Sequence, residues 1–305
     1  MPDTSSMIKS ESPTTAAGFD QQISILLSRA QELQETLSTC PIHETWESLC
    51  EIIQSCRLGE LTRHPTLEKV YTKEFNPLIK EKFGSVEKYL KSLLDFTSPT
   101  PTSRSDHHGE EEEEEEEWWV CPRREELEKG GGGGKSSQFR VRKNDWGYSI
   151  PSNVQHFVVW VNKPLFHRNL CTEDSDSDSN SQKKEEEEEE SLGLGRSKRT
   201  RETSSRKNDW NFVQEFGVSG LTGLDLFEKR MIRRLQIEQD PNFIPPPLID
   251  EEEELGGAGK EIEKFVRNHW KVEQGFQTAW FANPPRLQSV PGLAHFHVLV
   301  RKRPQ

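Results

Sequence analysis

Apolar residues are scarce in this chain: of 305 residues, 31 % are hydrophobic and 30 % charged, and the mean hydropathy is −0.85. A chain of that composition cannot bury its whole length around a core, so a large part of it is expected to stay unfolded. No apolar run approaches the ~20 residues needed to cross a bilayer. The opening MPDTSSMIKSESP carries neither an apolar signal segment nor an Arg-rich amphipathic pattern. The expectation is a cytoplasmic protein without membrane contact. The basic cluster RSKRTR at 196–201 suits nuclear import, against the plainer reading of solvated charge. Cysteine is equally sparse. Cys40, Cys50, Cys56, Cys121 and Cys171 are odd in number and form no CxxC pair. That excludes a disulfide framework and a cysteine-built zinc site, and reads as reduced thiols.

The charge of −12 is concentrated. Glutamate runs at 110–117, 185–190 and 251–254 hold 18 of the 52 acidic residues, and without them the balance is +6. The acidity therefore belongs to tracts, which could meet basic proteins, and the remainder is mildly basic. Glycine-rich phosphate loops, a GxSxG elbow and HExxH are absent, and the run at 130–134 lacks the strand and helix that frame a phosphate loop. No basic face with interleaved aromatics recommends nucleic acid.

The ordered part is expected in pieces. Residues 1–18 read as disordered. Residues 19–98 read as a helical unit: a helix capped by Asp20 and ended by Pro41, one from Thr45 stopped by Gly59, one from Pro65 interrupted at Pro77, and one capped by Ser85 with Val86, Tyr89, Leu90, Leu93 and Leu94 inward. Residues 99–137 read as an acidic and Gly-rich linker, with Trp118 and Trp119 an apolar exception. Residues 138–167 read as core strands, because Phe139 and Val141 alternate and VQHFVVWV at 154–161 is apolar on nearly both faces. Then come a second disordered acidic insert (168–205) and a partly ordered insert (206–259) with helical spacing at Leu224, Phe227, Met231 and Leu235. A core helix and strands follow at 260–305. The fold class is α+β: a helical unit on a small antiparallel or mixed sheet, with 42–305 as one discontinuous domain interrupted by long acidic inserts.

Chemistry is suggested at one place. In LAHFHVLV at 293–300, period-2 geometry puts Leu293, His295, His297 and Leu299 on one face, the two imidazoles roughly 6–7 Å apart. His156 lies inside the apolar strand and needs a hydrogen-bond partner if buried. Asn144, Asp145 and Trp146 supply turn chemistry just before it. Three histidines and an aspartate could chelate a metal. Alternatively, a neutral imidazole whose other nitrogen is held by a carbonyl could attack a phosphate, with Lys163, Arg286, Arg301 and Arg303 as the cations nearest in sequence. The plainest alternative makes His156 a satisfied core residue and the HFH pair the lining of a half-solvated face. If that face is a ligand site, His295→Ala and His297→Ala are expected to leave stability within about 1 kcal/mol.

KNDWGYSIPSNVQHFVVWVNKPL and WFANPPRLQSVPGLAHFHVLVR resemble the fungal N-acetylglucosamine-induced protein 1 family, a domain of unknown function, as do HETWESLCEIIQSCRLGELTRHP and FGSVEKYLKSLLDF at the helical front. The likeness covers about 42–96, 138–166 and 260–303. Gly147 stands where that family usually has proline, and Asn283, Pro284 and Pro285 where it usually has an Asn-Trp pair. The resemblance implies a fungal intracellular protein linked to N-acetylglucosamine response, with no established reaction. The motif order is also similar to that of histidine-triad and galactose-1-phosphate uridylyltransferase-like proteins, in which a strand histidine takes a nucleotidyl group; either His297 or His295 falls in that place.

The reading is therefore a pocket for a phosphorylated sugar or nucleotide, with His295 and His297 as the catalytic candidates and nucleotidyl transfer or hydrolysis as the chemistry. Asn144, Asp145, Trp146, His156, Asn283 and Gln288 are the binding residues, with no metal and no cofactor. The alternatives are a regulatory scaffold with structural histidines and a His-ligated metal enzyme.

Overall fold

The computed structural model describes residues 16–96, 118–123, 138–171, 210–241 and 257–303. The three glutamate runs, the RSKRTR cluster and residues 1–15 lie outside them.

The front of the chain is helical: α1 (Ala16–Leu37), α2 (Trp46–Gln54), α3 (Pro65–Val70), α4 (Asn76–Phe83) and α5 (Val86–Leu94). The capping residues act as their chemistry dictates. Thr45 accepts the Ser48 N–H, Ser85 accepts the Lys88 N–H, and Pro65 occupies the first turn of α3 where its missing N–H costs nothing. The strands are β1 (Phe139–Lys143), β2 (Val154–Val161), β3 (Val218–Thr222), β4 (Phe276–Ala282) and β5 (His295–Lys302), with α6 (Trp210–Phe216), α7 (Leu226–Gln239) and α8 (Lys260–His269) in the connections. They form one sheet in the order β1-β2-β5-β4-β3, and every pairing is antiparallel. The protein is thus α+β with an antiparallel sheet, and β5 is its central strand.

Alternation along β5 divides the core. Phe296, Val298 and Val300 face α8, whose Ile262, Phe265 and Val266 recur at helical spacing. Leu299 faces the other way, with Ala279 and Phe281 of β4, onto Trp46, Leu49 and Ile53 of α2 and Ile232 of α7. Toward the start of β5, Val158, Trp160 and Leu293 meet Leu94 of α5. Fully buried side chains such as Phe265, Phe296 and Leu299 each contribute about 1.5–3 kcal/mol.

Several boundaries differ from expectation. α1 begins at Ala16, so Asp20 lies inside it and pairs with Lys82 rather than capping. It stops at Leu37, ahead of Pro41. α2 ends at Gln54, well before Gly59, and Cys56 takes the left-handed backbone conformation that follows (φ 56°). Pro77 does not break the helix. A wide turn at Tyr71–Phe75, in which the Asn76 N–H reaches back to the Tyr71 carbonyl, carries α3 into α4; such a turn rearranges the backbone bonds just where proline lacks its donor. Leu93 is exposed, not inward. Between 206 and 247, α6 and β3 were not anticipated. Within α7 the apolar stripe is out of phase: Phe227 is 71 % exposed, while Glu228, Ile232 and Gln236 are buried. Finally, residues 118–123 fall inside the stretch read as linker, yet Trp119 is buried against Phe265 and Phe296. Its backbone N–H donates to the Pro164 carbonyl at 2.8 Å, and Trp118 stacks on His167.

Candidate functional site

The register of β2 on β5 sets His156 opposite Leu299, Val158 opposite His297 and Trp160 opposite His295. These residues share one face, so the three histidines meet. His156 Nε2 lies 3.0 Å from His297 Nδ1, and the rings of His295 and His297 are 5.3 Å apart. Tyr148 stacks on His156 at 4.7 Å and Phe281 on His297 at 5.0 Å. The half-solvated face does not form. His156, His295 and His297 are 4 %, 7 % and 8 % exposed, because helices and the 144–148 turn cover the strands. The surface-like tolerance expected of His295→Ala and His297→Ala loses its premise.

Backbone donors fix the direction of the hydrogen bonds. The Tyr148 N–H points at His156 Nδ1 at 3.3 Å, so that nitrogen accepts and the ring proton sits on Nε2. His156 Nε2–H then donates to His297 Nδ1. His297 in turn carries its proton on Nε2; Asn283 Nδ2 lies 3.5 Å away, so the Asn283 amide has to turn its oxygen to this side to accept that proton. Both imidazoles are neutral. Burial lowers His156 to about 3, with the charge of Arg63 acting in the same sense. Burial also holds His297 well below the usual imidazole range, with further pushes from His156, His295 and Arg63.

His295 is bonded differently. Its Nδ1 lies 2.7 Å from the Leu293 carbonyl, which can only accept, so Nδ1 holds the proton and Nε2 keeps its lone pair. Burial lowers its pKa, and the bond to Leu293 works the other way. His295 lines a cleft of about 100 Å³ between α5, the Tyr71–Phe75 turn and the β2–β5 face, whose cations are Arg63, Arg142 and Lys143.

The other expected residues take distinct places. Asn144 accepts the Trp146 N–H at 3.0 Å, and its Nδ2 sits 3.5 Å and 3.4 Å from the two ring nitrogens of His156, over the ring. Trp146 is buried against Phe75 and Tyr71. Asp145 is exposed at the cleft rim. Lost hydration on its protein side raises its carboxyl, against the pull of Arg142 and Lys143. Asn283 reaches His297, and the Gln288 side chain donates to the Asn283 carbonyl at 2.9 Å, so Gln288 supports the site without touching a histidine.

The cations expected from sequence proximity are elsewhere. Arg301 is buried at the far end of β5, bonded to Glu228 at 2.5 Å and Gln277 at 2.7 Å. Arg286 bonds the Glu215 carbonyl and Arg303 the Gly223 carbonyl. Tyr148 and Arg63 went unread. Tyr148 had a signal, since it closes the motif that begins at Asn144. Arg63 had none, for only the fold brings its Nε to the Trp146 carbonyl at 2.7 Å. Among the described residues no group of three or more His, Cys, Asp and Glu side chains could hold a metal ion. No described helix is long and apolar enough to cross a membrane.

An α+β protein with a neutral histidine cluster on the covered face of a five-stranded antiparallel sheet is the class that fold and site define. Within that class, the chain belongs to the family described as "Protein of unknown function (DUF3605)", whose profile matches residues 45–191 and 234–301. No curated protein matches the chain. A solved structure titled "Crystal Structure of HTC1" aligns over 85 % of this chain and 85 % of its own, with 15 % identity and a TM-score of 0.35, a likeness too low to argue from.

Proposed function

We propose that the cleft binds a phosphorylated small molecule, a sugar phosphate or nucleotide, with His295 Nε2 facing the phosphoryl group. One observation carries this reading: His295 donates through Nδ1 to a carbonyl and keeps Nε2 unprotonated, beside a cleft that holds Arg63, Arg142 and Lys143. A cavity of about 100 Å³ accommodates a phosphoryl-sized group, and the rest of the ligand would lie against Tyr89, Leu90 and Leu93. The same lone pair suits group transfer: an Nε2–P bond forms as the P–O bond to the leaving group breaks, while Nδ1–H stays on the Leu293 carbonyl. His156 and His297 pair with one another, His297 in the cleft wall and His156 beneath it. The sequence likeness to the N-acetylglucosamine-induced family favours an amino-sugar phosphate and an intracellular location, and the acidic tracts are assigned to basic partners.

The test is thermal melting of the full chain with inorganic phosphate, glucosamine 6-phosphate and uridine monophosphate. A binder at a hundred times its Kd stabilises by about 2.7 kcal/mol. The expected result is a raised Tm with at least one of these, lost in His295→Ala and weakened in Arg142→Ala. No shift with any of the three, or a shift that survives both substitutions, overturns the proposal.

A further inference from the structure

The 144–148 turn supplies Asp145 and Trp146 to the cleft and the N–H that sets the His156 tautomer. Its polar groups are held from three directions. Asn144 accepts the Trp146 N–H from within the turn. Arg63 donates to the Trp146 carbonyl. The third hold comes from α1, far away in sequence. Gln34 Nε2 donates to the Asp145 carbonyl at 2.6 Å, and Gln34 Oε1 accepts the Gly147 N–H at 3.1 Å. One side-chain amide thus clamps two backbone groups two residues apart.

The clamp and the glycine fit one another. A Cβ added at Gly147 would lie 2.7 Å from Gln34 Oε1 and 3.4 Å from His156 Nδ1. The backbone there is not in the left-handed region, so what a side chain at 147 would disturb is the tip of Gln34, which would have to leave the Gly147 N–H, and not φ. The next N–H in the chain, that of Tyr148, is the one that bonds His156. The family match begins at residue 45, so the clamp is delivered by a helix outside the matched segment. α1 itself is anchored independently, through Ile23, Ala30 and their neighbours against α3, the wide turn and α4.

We infer that Gln34 is a positioning residue for the histidine cleft, and that α1 fixes the site through it. Gln34 touches no histidine. It orders the turn, the turn presents the Tyr148 N–H to His156, and that bond sets the direction of the His156–His297 pair. The inference concerns the geometry of the cleft and stands whether or not phosphate is the ligand.

The experiment uses Gln34→Leu, which keeps side-chain bulk and removes both hydrogen bonds, in the full chain. Two readouts are taken: the ring-nitrogen NMR shifts of His156 and His295 across pH, and the Kd for inorganic phosphate. The expected result is a melting temperature within a few degrees of wild type. His156 changes from one tautomer to a mixture, the His295 titration moves toward the ordinary imidazole range, and the phosphate Kd rises about tenfold, because a turn no longer held in place has to be ordered when the ligand binds. Gln34→Glu restores the acceptor for the Gly147 N–H but not the donor to Asp145, and should fall between. Adding Gly147→Ala to Gln34→Leu should do little more, since both break one clamp. If the nitrogen shifts of Gln34→Leu match wild type, or if the two substitutions act additively on them, the inference fails. If wild type binds no phosphate but the shifts move as described, the positioning role stands and the proposed ligand falls.

Discussion

One face of β5 carries two buried polar clusters that solve the same problem in opposite ways. At its start, His295 and His297 meet His156 and stay neutral, for no carboxylate among the described residues bonds them and burial dominates their titration. At its end, the Arg301 guanidinium is bonded by Glu228 and Gln277 and lies over the Trp46 ring. Gln277 also donates to Glu228 at 2.6 Å, which closes the network. Leu299 separates the two clusters. The lesson is that a buried face can hold polar groups by two routes: imidazoles give up the proton and pair as neutral rings, whereas a guanidinium cannot and has to be supplied with a carboxylate.

Breaking the charged end should cost most. Arg301→Leu leaves Glu228 buried without its counter-ion, and a loss of about 3–5 kcal/mol is expected in urea unfolding. Arg301→Leu with Glu228→Leu should recover much of that. If the single substitution cost under about 1 kcal/mol, the pair would not be the closed network described.

Breaking the neutral end should cost less. His297→Ala leaves a cavity and an unmet donor on His156, and about 2–3 kcal/mol is expected by the same measurement. His295→Ala, losing one bond to a carbonyl, should cost less than His297→Ala.

Acid should separate the two ends. His156 is lowered to about 3 in the folded protein, against ~6.5 when unfolded. Between those values the unfolded chain binds the extra proton, so stability is intact above about pH 6.5 and declines as pH falls, by up to about 1.4 kcal/mol per pH unit for each such histidine. Melting curves across that window should show the decline. Replacing His156 and His297 together by Gln should flatten it, and an unchanged slope would mean the histidines are not the groups responsible. Smallest of all, Phe227→Ala should change stability by no more than about 0.5 kcal/mol, since that ring faces water.

The legible parts of the sequence were those where one periodicity ruled. Alternation in VQHFVVWV and LAHFHVLV placed His156, His295 and His297 on the correct strands and the two β5 imidazoles on one face. It could not say that this face is covered, because Tyr148 and the helices come from elsewhere. α7 was read with the wrong stripe because Glu228 and Gln236 are buried polar residues, Glu228 serving Arg301, and a hydrophobic template counts them as solvent-facing. Arg301 was read as a phosphate cation through closeness in sequence to the histidines, yet side chains at either end of an eight-residue strand lie far apart. Trp119 looked like part of a polar linker because its partners, Phe265 and Phe296, come more than a hundred residues later.

The wide turn at Tyr71–Phe75 has a consequence for how this protein tolerates changes of length. It holds one more residue between bonded groups than an α-helical turn, so the extra residue is absorbed locally and α4 continues from α3 with its rotational phase kept. Tyr71 and Phe75, at its two ends, both rest on Trp146 beside the cleft. Deleting one residue between them would return the turn to the ordinary α-helical count, so α4 would hold its phase and Ile79 and Leu78 their burial beside α1. The cost would fall on Pro77, set inside an unbroken helix, and on the spacing of the two rings that seat Trp146. Inserting a residue has no such slack, and would turn α4 by about 100° about its axis.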